Sequence, residues 1–444
     1  MKSPISKLLF VLFAVFYSLA SNANSTAKNL TLIEQKIAQT IDSTKQNYLS
    51  VLERTVNINS GTMNFEGVKE TGKVMQKEFD KLGFETRWID GKAFNRAGHL
   101  YASFGVDSRS NNKKVLLIGH LDTVFASNSP FQSYKELGAT KIAGPGITDM
   151  KGGNVIILSI LDALKKHGAL EKLQVKIMLM GDEEKRGAPY QVATKELVEA
   201  GKWADIAMGF EDGDGDPKTA VISRRGAIGW KLTVKGRPAH SSQIFREGYG
   251  YGAIFETARI LNAFREELAK EPNLTFNPGV IVGGTDVEFD KASAAGTAFG
   301  KSNVISETTI VHGDIRALSP EQLEFAHNTM KKIVKENLAD TTAELVFYDG
   351  YPPMAPNDGN RKLLAMYDLA SQDLGFGKVL PVDPRKAGAA DVSFVANHVE
   401  MALDGLGLMG TGGHTVKEVA DITTFTSQAK RAAILLHRFA HQEK

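Results

Sequence analysis

The chain contains no cysteine. That absence excludes disulfides and thiolate metal sites, so any bound metal must be held by histidine, aspartate and glutamate. It also lacks a basic run, and 53 basic against 51 acidic residues leave a formal net charge of only +2. Both facts argue against a nucleic-acid surface. Internal repeats and low-complexity tracts are missing too. Long apolar runs are scarce: the run at 8–19 (LLFVLFAVFYSL) is too short for a comfortable membrane span. It follows Lys2 and Lys7 and precedes the small residues Ala20, Ser21 and Ala23. Residues 1–23 therefore read as a secretory signal peptide with a Ser-x-Ala cleavage site, the alternative being an uncleaved N-terminal anchor. The folded part is expected to begin near Asn24, outside the cytoplasm and without stable membrane association after cleavage. A cysteine-free exported chain suits a bacterial periplasm.

What is present is globular. Hydrophobic residues make up 42% and charged residues 23%, and 444 residues suffice for two domains of ordinary size. Apolar spacing predicts helices over 32–55 and 67–82, then strands over 85–89, 99–104 and 114–119. A helix over 155–166 stops at Gly168, and strands over 175–180 and 205–210 follow. Strands alternating with helices imply a layered α/β domain with a largely parallel sheet. The pattern changes after Pro217. Strands at 219–223 and 228–234, a helix over 253–268, a β-rich block over 280–316 and a helix from Ser319 to about 338 suggest a small two-layer α+β unit. The α/β pattern returns at Ala343 and ends in a helix over 423–441. The expected division is 24–217 with 340–444 as one domain and 218–339 as an insertion.

The most telling stretch is VKIMLMGDEE (175–184), an apolar strand that ends in three consecutive carboxylates. Such charge at the mouth of a core is costly unless a cation neutralises it. KVLLIG (114–119) likewise runs into His120-Leu121-Asp122. Two strands ending in such ligands point to one metal site at the C-terminal edge of a sheet. A dinuclear hydrolytic site needs roughly five protein ligands, one carboxylate bridging the metals, and a free carboxylate to move protons. Candidates occur in order: His120 and Asp122, two apart and so pointing the same way; Asp149 in the glycine-rich GPGITDMKGG; Glu183 and Glu184, of which one can ligate while the other faces substrate; Glu211 after the 205–210 strand; and His414 in GTGGH.

Plainer readings exist for each. A lone histidine is usually structural, and only Asp122 and the strand-end position favour a ligand role for His120. Glu183-Glu184 could be a solvated pair, Asp149 a turn aspartate, Pro238-Ala239-His240-Ser241 an exposed turn and Arg316 a surface charge. The acidic run 212–216 mimics the start of an EF-hand, but Pro217 falls where glycine is needed and Ser223 where glutamate must bind calcium. Glycosidase chemistry also fits poorly, because adjacent carboxylates do not flank a glycosidic bond.

HLDTV, GPGITDMKGG, GDEE, the strand-ending Glu211, RPAHSS and GGHT, in this order across nearly all of the mature chain, resemble the dizinc exopeptidase family. That family includes glutamate carboxypeptidase, acetylornithine deacetylase and succinyl-diaminopimelate desuccinylase, and the resemblance is nearest to the secreted glutamate carboxypeptidase branch. It implies a catalytic α/β/α sandwich with an inserted two-layer α+β dimerisation domain, and two Zn2+ per subunit, with Co2+ or Mn2+ left open. It further implies that Asp149 bridges the metals, that His120 pairs with Glu211 and Glu184 with His414 as ligands, and that Glu183 is the general base and acid. Asp122 would orient His120 by accepting its other N–H. His240, on the insertion, would reach the active site of a homodimer partner and hold the oxyanion.

For substrate, the resemblance makes Arg316 the guanidinium that grips a carboxylate, with Asn303 assisting. Two positions depart from the family pattern: Ser306 follows Asn303-Val304-Ile305 where proline is frequent, and Tyr351 precedes Pro352-Pro353 where arginine is frequent. A preference for C-terminal glutamate is therefore left open. The reading is a hydrolase for an amide bond beside a free carboxylate in a small peptide or acyl-amino acid. Its alternatives are an aminoacylase or dipeptidase, and a catalytically silent zinc- or peptide-binding relative, whose mark would be a lost ligand or base. None is missing here.

Overall fold

The computed structural model describes residues 29–290 and 293–442, so the signal segment expected at 1–23 lies outside the described residues. The chain enters through helix α1 (Leu32–Val56), whose start is set by a capping box: Glu34 N–H donates to the Thr31 hydroxyl, and Thr31 N–H donates to the Glu34 carboxylate at 2.6 Å. Helix α2 (Phe65–Lys81) follows, then strands β1 (Glu85–Asp90), β2 (Gly98–Phe104) and β3 (Lys113–His120). Helix α3 (Gly152–Lys166), strand β4 (Leu173–Met180), helix α4 (Lys195–Trp203) and strand β5 (Ile206–Gly209) complete the first run.

A second unit is built from β6 (Ile228–Gly236), α5 (Gly252–Leu268), β7 (Thr275–Gly284), β8 (Thr308–Arg316), α6 (Pro320–Lys335) and β9 (Thr341–Phe347). The chain then returns through α7 (Asp358–Asp373), β10 (Met401–Leu403) and α8 (Thr423–Ala440).

The main sheet has the order β1-β2-β4-β3-β5-β10. From β4 to β10 the pairing is parallel, whereas β1, β2 and β4 pair antiparallel at one side. Alternation along β3 divides the packing, as a period of two requires. Val115 and Leu117 pack in the core formed with α1, α2, α3, α7 and α8; Leu116 and Ile118 pack in the core that includes Leu197 and Ala200 of α4. These layers form the α/β/α sandwich. Helix α3 is buried on nearly every side because α1 and α8 both pack against it, which explains its almost unbroken apolar sequence.

The second sheet has the order β7-β8-β6-β9, entirely antiparallel. Trp230, Leu232 and Val234 of β6 pack with Ile260 and Phe264 of α5 and Met330 of α6 in a separate core. Element order and strand order together are those of a split βαβ unit with both helices on one face. Two sequence expectations are corrected. Strand β9, read as the start of the returning α/β block, pairs along its length with β6; its alternating pattern suits a half-buried edge strand of the second sheet. The strand expected over 219–223 shrinks to Thr219–Ala220, paired with Leu380–Pro381, followed by a single bridge from Val221 to Asp404.

Candidate metal centre

Strand β3 ends on His120, whose partner across the parallel ladder is Met180, the last residue of β4. Asp182, Glu183 and Glu184 follow Met180 directly, and Glu211 stands just beyond β5. The C-terminal ends of adjacent parallel strands thus supply most of the chemistry-bearing side chains, where open α/β sheets bind ligands. Asp149 comes from the segment feeding α3. That segment lies close to the sheet because Gly153 packs on the Phe210 carbonyl, where a Cβ would come within 1.9 Å. His414 comes from a turn after β10 and holds a left-handed backbone (φ 61), an uncommon conformation for a residue other than glycine.

The side chains converge on Asp149. Its Oδ1 lies 2.9 Å from His120 Nε2, and its Oδ2 lies 2.8 Å from His414 Nε2. His120 Nε2 is also 3.4 Å from Glu211 Oε1, and His414 Nε2 is 3.3 Å from Glu184 Oε2. One carboxylate therefore faces two imidazoles, each with a second carboxylate of its own. Ligand atoms of His120, Asp149 and Glu184 all fall within 4.8 Å of one another.

The electrostatics of this cluster suit bound cations. Burial, reinforced by the Asp149 charge, raises Glu184 to about 7 and Glu211 to about 8. Burial also pushes Glu183 well above the ordinary carboxylate range, with Asp391, Glu211 and Glu184 adding to the effect against the opposing pull of His120. Hydrogen bonds to Asp149 and Glu184 raise His414 to about 11. His120 is buried, which opposes its charge, yet Glu211, Asp122 and Asp149 carry it well above its usual value. Glu184 Oε1 is buried with no hydrogen-bond partner. The crowded carboxylates raise His120, His414, Glu183, Glu184 and Glu211 while Asp149 stays low, and bound cations would offset this negative charge and give Glu184 Oε1 a partner. The donor set of imidazoles and carboxylates without sulfur suits zinc and also harder divalent ions.

Asp122 acts differently from the simplest expectation. The nearer acceptor for His120 Nδ1 is the Asp122 backbone carbonyl at 3.0 Å, while its carboxylate is 3.5 Å away. That carboxylate instead accepts the Thr62 hydroxyl at 2.6 Å and the Glu183 and Glu184 N–H groups at 3.0 and 3.1 Å. Burial works against its charge, but His120 and Thr62 hold its pKa below the ordinary value. Asp122 therefore fixes both His120 and the turn that carries the paired glutamates.

Other side chains matter here whose roles had little signal in the sequence. Asp182 is buried, accepts the Gly187 N–H at 2.9 Å and pairs with Arg186, which also pairs with buried Asp391. Arg186 donates to the Tyr351 hydroxyl at 2.7 Å, and that hydroxyl donates to the Glu183 carbonyl at 2.6 Å. Tyr351 thus braces the Glu183 turn from behind. The one available clue was an arginine placed four residues after the buried Asp182. Buried Glu418 was also missed, since a single glutamate in a polar loop has no distinguishing pattern.

The second unit holds the remaining candidates. His240 is exposed, with Nδ1 2.8 Å from the Ser242 hydroxyl, and its backbone forms a bridge to Val304. Ser241 N–H donates to the Asn303 carbonyl at 2.9 Å, so His240 and Asn303 lie on paired segments. Arg316 ends β8 and pairs through Nε with Asp314 Oδ2 at 3.0 Å. The hydrogen bonds described for these three residues are to partners in their own unit, and Arg316 also interacts electrostatically with Arg225.

Two histidines and several carboxylates gathered at the C-terminal edge of a parallel sheet are the donor set of a metal-dependent hydrolase. Residues 116–441 match the model of Peptidase family M20/M25/M40, and the chain belongs to that family. It is 25% identical over 395 residues to carboxypeptidase G2 of Pseudomonas sp. (strain RS-16), covering 87% of this chain and 88% of the relative. Its fold is similar to that of aminopeptidase PepT from Bacillus cereus, with a TM-score of 0.70 at 18% identity, covering 89% of this chain and 99% of that one. It is also similar to that of the Bacillus subtilis YXEP protein, a dinuclear metal-binding peptidase, with a TM-score of 0.61 at 16% identity, covering 89% and 98%.

Proposed function

We propose that this M20-family hydrolase is an exported dizinc enzyme that cleaves an amide bond beside a free carboxylate in a small peptide or acyl-amino acid. The observation that carries the reading is the Asp149 carboxylate, whose oxygens face His120 and His414 separately, with Glu211 and Glu184 behind them. This arrangement supports Asp149 as a ligand shared by two ions, one that His120 and Glu211 would also hold and one that Glu184 and His414 would also hold. Two bound Zn2+ ions would supply Lewis acidity to a scissile carbonyl and acidify an attacking water. Glu183 is the residue left to move protons: it takes one from the water and gives it to the leaving amine. Burial, with Asp391, Glu211 and Glu184 adding to it, raises its pKa, which suits a carboxylate that must accept a proton and then release it. Arg316 and Asn303 anchor the substrate carboxylate, and His240 steadies the oxyanion in the site of a second subunit.

The likeness to carboxypeptidase G2 supports the carboxylate requirement. The charged, apolar and small-residue pattern of 1–23 supports export to a periplasm. The test is hydrolysis by the zinc-loaded protein of matched substrates with a free or an amidated C-terminus, across folate-type, N-acetyl and dipeptide series. Cleavage of the free-carboxylate member of each pair, with loss of at least about tenfold in kcat/KM on amidation, is expected. Equal rates on both members would remove the carboxylate requirement, and no cleavage anywhere would return the chain to a silent binding role.

A further inference from the structure

The candidate ligands do not hold themselves in place, and a side chain outside the proposed ligand set joins two of the segments that carry them. Glu418 is 0% exposed, an unusual state for a carboxylate, and buried Lys151 interacts electrostatically with it. Its Oε2 accepts the Gly146 N–H at 2.9 Å, and its Oε1 accepts the Thr148 N–H at 2.8 Å, the Thr148 hydroxyl at 3.1 Å and the Asp149 N–H at 3.3 Å. The donors come from the turn that presents Asp149, beginning at Gly146 with φ 69. At its other end, Glu418 closes the turn that presents His414. Its own N–H donates to the Thr415 carbonyl, and the Thr415 N–H and hydroxyl both donate to the Gly412 carbonyl. Just beyond it, Val419–Asp421 pairs antiparallel with Lys141–Ala143, which leads into the Asp149 turn.

We infer that Glu418 is a positioning residue that sets the separation of Asp149 and His414, and so controls one of the two metal positions. This rests on the reading of Asp149, Glu184 and His414 as ligands. The position with His414 depends on two turns, and Glu418 joins them: its side chain accepts from the Asp149 turn and its backbone N–H closes the His414 turn. The position with His120 and Glu211 shares Asp149 but takes its other two ligands from the strand ends of β3 and β5, which the sheet holds without Glu418. A carboxylate is suited to this task because it offers two acceptor oxygens and no donor. Glutamine would turn an NH2 group toward at least one of these N–H groups and break the set.

The experiment is metal binding by competition with a chelator and by metal analysis, on the full chain and on Glu418→Gln and Thr148→Val. The wild type should hold two Zn2+ per chain. In Glu418→Gln one ion should weaken by about 10- to 100-fold while the other changes by no more than about threefold. kcat should fall at limiting zinc and recover as zinc is raised. Thr148→Val removes a single hydroxyl donor and should shift the same ion in the same direction by a smaller factor. In a His414→Asn background, Glu418→Gln should add little further loss, because both act on one position. Lowered thermal stability with both affinities unchanged, or equal loss of both ions, would overturn the inference. A wild type that binds no pair of ions would overturn the ligand reading beneath it instead.

Discussion

At the scale of single residues, the consecutive acids Asp182, Glu183 and Glu184 show how backbone direction and partners separate three similar groups. Asp182 turns inward to Arg186 and the Gly187 N–H. Glu184 reaches the Asp149–His414 pair, and Glu183 is held by its backbone, N–H to Asp122 and carbonyl to Tyr351. Glu183→Gln keeps the shape and those backbone bonds but removes the proton carrier. It should lower kcat by about 10²- to 10⁴-fold with zinc content unchanged, measured by steady-state kinetics beside metal analysis. A variant with wild-type kcat would end the assignment of Glu183 as base. The sequence revealed the ligand candidates because metal sites need particular residue types at strand ends. It did not reveal the bracing roles of Tyr351, Asp391 and Glu418, because a brace can be any polar group that long-range folding brings near, and these lie 168, 205 and 269 positions from their partners.

At the scale of elements, the strands and the ends of the longer helices were legible because apolar period and capping are local properties. The assignment of β9 was not, since a half-buried strand carries no mark of which sheet it joins. The link between the first and last helices was equally hidden. Glu34 of α1 accepts from Arg438 Nε of α8 at 2.6 Å, and Arg438 also donates to Asp373 of α7 at 2.7 Å. Burial works against the Glu34 charge, but Arg438 and the Thr31 N–H outweigh it and hold the pKa below 4.5. A lowered folded-state value means that this stabilisation is fully present above the unfolded carboxylate value and is lost as pH falls through the folded one. Arg438→Met should therefore destabilise the protein by about 1–3 kcal/mol near pH 7, with the gap narrowing below about pH 4. Thermal unfolding of both proteins from pH 3 to 7 measures it, and a gap independent of pH would place the effect in packing rather than charge.

At the scale of the whole molecule, the proposed reaction draws on groups that one chain holds on two separate units. The metal cluster and Glu183 belong to the α/β/α sandwich, whereas His240, Asn303 and Arg316 make their described hydrogen bonds within the split βαβ unit. If His240 serves the site of a second subunit, two inactive variants can repair each other. Consider a homodimer of Glu183→Gln mixed with an equal amount of His240→Ala under conditions of subunit exchange. In a mixed dimer, the chain carrying His240→Ala keeps its own Glu183 and receives intact His240 from its partner, so that site works. The other site has lost both groups. Random exchange makes half of the dimers mixed, so activity should recover to about one quarter of wild type. Recovery should follow the time course of exchange and be absent when exchange is prevented. If His240 instead acted within its own chain, every site in the mixed dimer would still lack one group. No recovery despite demonstrated exchange would then place His240 in the site of its own chain or outside catalysis, and low residual activity of His240→Ala separates the first of these from the second.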